Sequence, residues 1–194
     1  MSKLTVLGLD PGFASMGWAV MQWDGGWSVL RAGVWETKPS AKKLRMLQCE
    51  DNSHRAFALC RSTYTEIVSD NWAVDLICYE APSFPRNASV AAKMGIVYGI
   101  VWALIEQYQM CAYQLSPQQI KKALCGKVSA SKADVQDAVA QRVHDVRCVE
   151  LTVKSKRNHI YDAIAAVLAA DNSDVMRVIK RREDGNWFRD EVEM

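Results

Sequence analysis

Four residues of this 194-residue chain have the types and the placement to do chemistry together: Asp10, Glu80, His159 and Asp162. Asp10 ends the apolar run LTVLGL and is followed at once by Pro11 and Gly12, strong turn punctuation, so its carboxylate stands where a short buried strand leaves its sheet. Glu80 repeats the arrangement at the end of VDLICYE, before Ala81 and Pro82. His159 and Asp162 lie three apart at the start of an alanine-rich helical stretch, 157–171, and therefore share a helix face. Oxygen ligands of this kind suit Mg²⁺, with Mn²⁺ as a substitute, and a neutral imidazole adds a nitrogen. Such a set can hold two ions about 3.5–4 Å apart, one activating a water and one stabilising the leaving oxygen of a phosphodiester. Without a cation, clustered acids repel one another and hold their protons. Taken singly, each residue has a plainer reading: a turn acid, a strand-end acid, a first-turn helix acid favoured by the dipole and a helix-surface histidine. The plainer readings leave the shared placement unexplained.

Positioning these residues requires strands and helices in a particular order. LTVLGLD, GWAVMQW and WSVLRAGVWE predict a meander of three strands, and Lys42–Asn71 a helix with Phe57, Cys60, Tyr64 and Ile67 at apolar spacing. VDLICYE is a fourth strand, a long helix runs from about Asn87 to Gln109, and MCAYQL is a fifth strand. Ser116 and Pro117 cap a short helix, a second helix follows from Ser131, and 157–171 closes the series. The order β-β-β-α-β-α-β-α predicts an α/β fold, a mixed five-stranded sheet flanked by helices. The acids of strands one and four meet if those strands are neighbours. The helix 87–109 carries Ala91, Gly95, Gly99 and Ala103 at four-residue spacing. A mid-helix glycine costs about 1 kcal/mol, so close packing should offset it, either on the chain's own sheet or on another subunit. We read 1–172 as one domain and 173–194 as a charged, peripheral extension.

Composition sets the outer bounds. With 49% hydrophobic and 24% charged residues the chain can bury a core of ordinary single-domain size. No targeting segment is evident, and the longest apolar run, 94–105, is short for a bilayer span, so a cytoplasmic protein without membrane contact is expected. Six cysteines without a C-x-x-C pair read as reduced structural thiols. The formal charge is only +2, yet between Lys121 and Arg157 nine Lys and Arg face four acids. That segment, with Lys121, Lys132, Lys154, Lys156 and Arg157, is either a surface for a phosphate backbone or a set of solvated helix faces. Phe84, between Pro82 and Pro85 with Arg86 beside it, can stack where bases are unpaired or pack on its own loop.

GLDPGFASMGWAV, CYEAPSF, SPQQIKKALCGKVSASKADV and NHIYDAIAAVLA, in this order, resemble the motifs of the RuvC family of Holliday junction resolvases over roughly residues 4 to 170. The resemblance implies a ribonuclease H-like fold, a homodimer in contact through the helix 87–109, and Mg²⁺-dependent symmetric nicking of four-way DNA junctions. It implies that Asp10, Glu80, His159 and Asp162 form the metal-binding tetrad, whose third member in chain order is Asp or His in the family. It also places Lys121 and Lys132 against junction phosphates, Lys132 nearest the scissile one, and Phe84 one residue from an aromatic that enters the junction's opening. The charged tail and modest basicity depart from the pattern and leave open a bacterial resolvase or a phage or mobile-element relative acting on a wider range of branched DNA. The alternative is a non-catalytic junction-binding scaffold. An ATP-binding protein of the actin and sugar-kinase type would need a second phosphate loop and about twice the length.

Overall fold

The computed structural model describes residues 3–41, 46–69, 73–82, 87–144 and 154–183. Five strands, β1 (Leu4–Asp10), β2 (Ser15–Trp23), β3 (Trp27–Glu36), β4 (Leu76–Glu80) and β5 (Cys111–Leu115), form one sheet in the order β3-β2-β1-β4-β5. The first three are an antiparallel meander, whereas β4 runs parallel to both β1 and β5. The helices are α1 (Gln48–Ser69), α2 (Ala88–Gln107), α3 (Pro117–Cys125), α4 (Lys132–Arg142), α5 (Lys154–Ala170) and α6 (Asp174–Glu183). The expected mixed sheet with helices on its faces is therefore present, and the parallel β1–β4 pairing makes the two acid-tipped strands neighbours.

Strand parity divides the core in two. Leu4 and Val6 of β1 and Leu76 and Cys78 of β4 join Ala19, Met21, Ile160, Ile164 and Val167 in a cluster under α5. Leu7, Leu9, Ile77 and Tyr79 face the other way, toward Val97, Tyr98, Val101 and Leu104 of α2 and Leu59 of α1. Because side chains alternate, Asp10 and Glu80 continue the first set, on the face that α5 covers.

β3 reaches the same face by a different device. Its register against β2 slips between Val20 and Met21, so that Leu30 is an extra residue. Before the bulge Val29 lies in the α5-side cluster; after it Val34 packs there and Trp35 lies in the other. One inserted residue exchanges the faces, and the final residue, Glu36, follows Val34 toward α5.

Three expectations need correction. α1 is helical, but its buried stripe is Arg55, Leu59 and Thr63 rather than the apolar set: Phe57 is 68% and Tyr64 43% exposed. The sheet corner beneath α1 takes a guanidinium and a hydroxyl, which a hydrophobic periodicity cannot reveal. α5 begins at Lys154, so His159 and Asp162 lie beyond its first turn. The tail is not wholly peripheral, because α6 buries Met176 and Ile179 against the α5-side core.

Candidate active site

Asp10 and Glu80 are brought together by the β1–β4 register, in which Leu9 pairs with Tyr79 just before the two acids. α5 supplies His159 and Asp162, and its approach depends on two glycines. A Cβ on Gly17 would stand 2.1 Å from the His159 carbonyl oxygen, and one on Gly8 2.3 Å from that of Ala163. Any side chain at either position would push the helix off the sheet. With hydrogens there, His159 Nδ1 comes to 2.7 Å from Asp10 Oδ2.

From the opposite wall, α3 and α4 add cations. Both helices start with capping boxes, Ser116 with Gln119 and Ser131 with Asp134, and Gly126 ends α3 in the left-handed conformation. Lys132 opens α4, its Nζ 3.3 Å from Asp162 Oδ2, and Gln136 Nε2 donates to Asn158 Oδ1 at 2.9 Å, tying α4 to α5. Asp10, Glu80, His159, Asp162, Lys121 and Lys132 thus line one open cleft of about 360 Å³, with Pro117, Ile120 and Val135 as its apolar floor.

Electrostatically the cleft is out of balance. Burial, then the charges of Asp10 and Asp162, pushes the Glu80 carboxyl up to about 7. Burial, then Asp10, raises Asp162, against the pull of Lys132. The hydrogen bond to Asp10 raises His159. Two partly buried carboxyls that hold their protons above the ordinary range would ionise beside an added positive charge. Hard oxygens with one imidazole are the donors that a Mg²⁺- or Mn²⁺-type cation takes, so the residues fit such an ion. Among the described residues no three of these side chains yet close around one point at ligating distance. Asp10 is turned to the imidazole and Asp162 to the Lys132 ammonium.

Other expected residues fall outside this cluster. Lys156 sits on the cleft's shoulder, 2.5 Å from Glu36 Oε2. Arg157 is half-buried on α5, Lys154 begins that helix, and Phe84 and Arg86 lie outside the described residues. Sequence reasoning missed four contributors. Gly8 and Gly17 carried a usable signal, since a glycine inside a strand often marks a close backbone approach. Glu36, held below the usual carboxylate range by Lys156 and then by Lys38 and His159, carried none, because only the bulge turns it toward α5. Tyr98 of α2 donates its hydroxyl to the Glu80 carbonyl at 2.7 Å, so the helix across the sheet also fixes that acid.

The sequence profile described as crossover junction endodeoxyribonuclease RuvC matches residues 6–170. A RuvC of Chlorobium chlorochromatii is 29% identical over 175 residues, covering 90% of this chain and 80% of the relative. One from Pseudothermotoga lettingae is 30% identical over 139 residues, 70% of this chain and 78% of the relative. Thermus thermophilus RuvC in complex with Holliday junction substrate superposes with a TM-score of 0.70 at 22% identity, over 94% of this chain and 97% of that one. The yeast mitochondrial Holliday junction resolvase Ydc2 shares the fold at a TM-score of 0.58 and 11% identity, over 91% and 83%. A match that spans β1 through α5, and so takes in every acid of the cleft, places the chain in the RuvC crossover junction endodeoxyribonuclease family.

Proposed function

We propose that this endonuclease nicks four-way DNA junctions by Mg²⁺-dependent phosphodiester hydrolysis, as a homodimer with two ions at each site. The observation that carries the reading is the convergence of Asp10, Glu80, His159 and Asp162 on one cleft with Lys121 and Lys132 on its wall. Divalent cations bound there would supply an activated water and charge stabilisation at the leaving oxygen. The chain's own residues do the rest. Asp10, Glu80 and Asp162 offer oxygens, and the Asp10 contact fixes the His159 ring so that its second nitrogen faces away from that acid. Lys132, with its side chain 71% exposed, can leave Asp162 for a phosphate at little cost, and Lys121 can take the neighbouring phosphate. A labelled four-way junction, incubated with and without Mg²⁺ and resolved on native and denaturing gels beside forked and linear DNA, tests this. Paired nicks near the branch, only with metal, are expected; binding without nicks would favour a scaffold.

Paired nicks on opposed strands call for two sites related by a two-fold axis, and α2 supports that arrangement. Over its most apolar 18 residues this twenty-residue helix has a mean hydropathy of 1.7, enough by length and composition to cross a membrane, yet only 22% of that stretch is buried. Its inner side packs Val97, Tyr98, Val101 and Leu104 on the sheet, whereas Trp102 is 51% exposed, and a Cβ on Gly95 or Gly99 would meet nothing within 4 Å. Among the described residues, Gly95 and Gly99 of the small-residue stripe pack against nothing within the subunit. Gly99→Leu should leave the helical content unchanged but give monomers in sedimentation and uncouple the two nicks. A folded, dimeric and fully active variant would place the partner elsewhere.

A further inference from the structure

The turn that follows Asp10 is gripped from outside its own hairpin. Thr37, one residue beyond β3, donates its hydroxyl to the Phe13 carbonyl at 2.5 Å and its amide to the Ala14 carbonyl at 2.9 Å. Arg55 of α1 in turn donates Nε to Thr37 Oγ1 at 3.1 Å and Nη2 to the Thr37 carbonyl at 3.5 Å, with its guanidinium carbon 4.5 Å from the Phe13 ring centre. One turn earlier, Asp51 lies 3.8 Å from Arg55 Nη1 and accepts the Ser40 amide at 2.7 Å. Arg55, Thr37 and Phe13 are 9%, 8% and 6% exposed.

Two physical points make this more than packing. A buried guanidinium is costly unless its donors are met, so an apolar residue would serve better if the site needed only filling. Moreover, Arg55 Nε–H can only donate. It occupies a lone pair of the Thr37 hydroxyl and leaves that group's single hydrogen for the Phe13 carbonyl, which gives the chain Arg55, Thr37, Phe13 one direction. Phe13 is three residues from Asp10, with only Pro11 and Gly12 between, and Gly12 has no room for a side chain: a Cβ there would lie 2.3 Å from the Ser15 carbonyl oxygen.

We propose that Arg55 is a positioning residue for the nuclease reaction, acting through the Thr37 hydroxyl to hold the turn that aims Asp10 into the cleft. The proposal rests on the reading of Asp10 as a metal ligand. Its test compares Thr37→Val, Thr37→Ser, Arg55→Lys, Arg55→Met and the Thr37→Val/Arg55→Met double variant. Three quantities are read well below each melting temperature: Mn²⁺ binding to the free protein by paramagnetic resonance, single-turnover junction cleavage at saturating Mg²⁺, and junction affinity without metal. Thr37→Val and Arg55→Met should each weaken Mn²⁺ binding and slow cleavage by about tenfold, the usual scale for groups that orient a ligand. Junction affinity should hold within about twofold on the same grounds, since no DNA-facing group changes. Thr37→Ser should restore both readouts, Arg55→Lys should fall between, and the double variant should be no worse than either single one, because both break one chain. Lowered melting temperatures with parental Mn²⁺ binding and cleavage would overturn the proposal and leave Arg55 a purely structural residue, and so would additive losses. An Asp10→Asn control that binds Mn²⁺ as the parent does would overturn the reading of the site itself, and the positioning role with it.

Discussion

The two ends of the central sheet handle charge in opposite ways. At the end where β1 starts, Asp171 accepts from Trp27 Nε1 at 2.8 Å and pairs with Lys180 Nζ at 2.5 Å. The Lys180 ammonium lies 3.5 Å from the centre of the Trp23 ring and 5.3 Å from that of Trp27, and the two rings are themselves 5.3 Å apart. One acid and one base are each met by several partners, and α6 is fastened to the domain. At the end where β1 finishes, three acids share a cleft with one imidazole and the ammoniums of Lys121 and Lys132, and the acids Glu80 and Asp162 are still held above their usual range by burial and by their neighbours. Matched charge holds a fold together; mismatched charge, kept in place by the same sheet, is what a cation and a phosphate can resolve.

Breaking the unbalanced end should cost activity and little else. Asp10→Asn removes one charge from the cleft without altering Lys121 or Lys132, so cleavage should fall by roughly a thousandfold, the scale of several kcal/mol of lost charge stabilisation. Junction affinity measured without metal should be nearly parental. Binding lost in proportion to cleavage would mean that Asp10 serves the DNA surface instead.

A second change attacks the seating of α5. Gly17→Ala puts a methyl 2.1 Å from the His159 carbonyl oxygen, which is backbone and cannot rotate away. The helix must move, carrying His159 and Asp162 with it. Displacement of about 1 Å can cost 10²-fold in rate, and overpacking costs roughly 1–3 kcal/mol. Cleavage at a temperature well below melting, compared with the melting temperature itself, separates the two effects. Parental activity would show that the site tolerates a shifted α5.

How legible the site was depended on whether its positioning used periodicity. Asp10 and Glu80 were readable because each ends an apolar strand before a turn, and parity places both on one face. His159 and Asp162 were readable from their spacing alone. The buried stripe of α1 was not, since Arg55 and Thr63 carry no hydrophobic signal while Phe57 and Tyr64 mislead. Glu36 was hidden by a one-residue bulge that no local pattern announces. In α6 the Lys and Arg letters masked Met176 and Ile179, a burial pair three apart, and Lys180, whose charge is absorbed by rings from the facing ends of β2 and β3, far earlier in the chain.

The balanced end should answer to mutation in the converse way. Asp171→Ala leaves the Trp27 indole N–H and the half-buried Lys180 without their shared acceptor. Losing such an acceptor costs about 1–3 kcal/mol, a fall of roughly 2–4 °C per kcal/mol in a domain of this size. Single-turnover cleavage below the melting range should be unchanged, because the cleft lies at the opposite end of β1 and α5. A selective loss of cleavage without a drop in melting temperature would dissolve the distinction between the two ends.

The subtlest expectation concerns stability of the metal-free protein as pH changes. Glu80 titrates at about 7 in the fold against 4.5 in an ordinary setting, chiefly through burial and then through Asp10 and Asp162. The folded state therefore binds the proton more tightly than the unfolded chain. By linkage, this carboxyl's contribution is fully present below its unfolded value and is lost as pH rises through about 7. Glu80→Gln removes the titration while keeping the shape. The variant's melting temperature should thus lie above the parent's at pH 8 and draw level with it, or fall below, near pH 5, while cleavage is abolished throughout. The gap should be a few degrees at most, because the carboxyl is only partly buried and solvent screens it. It should close when Mg²⁺ or Mn²⁺ is added to the parent, since any cation that binds the folded protein stabilises it by mass action. Equal melting curves at pH 8 without metal would mean that Glu80 feels no excess of negative charge, and the cleft would then be no less balanced than the Asp171 end.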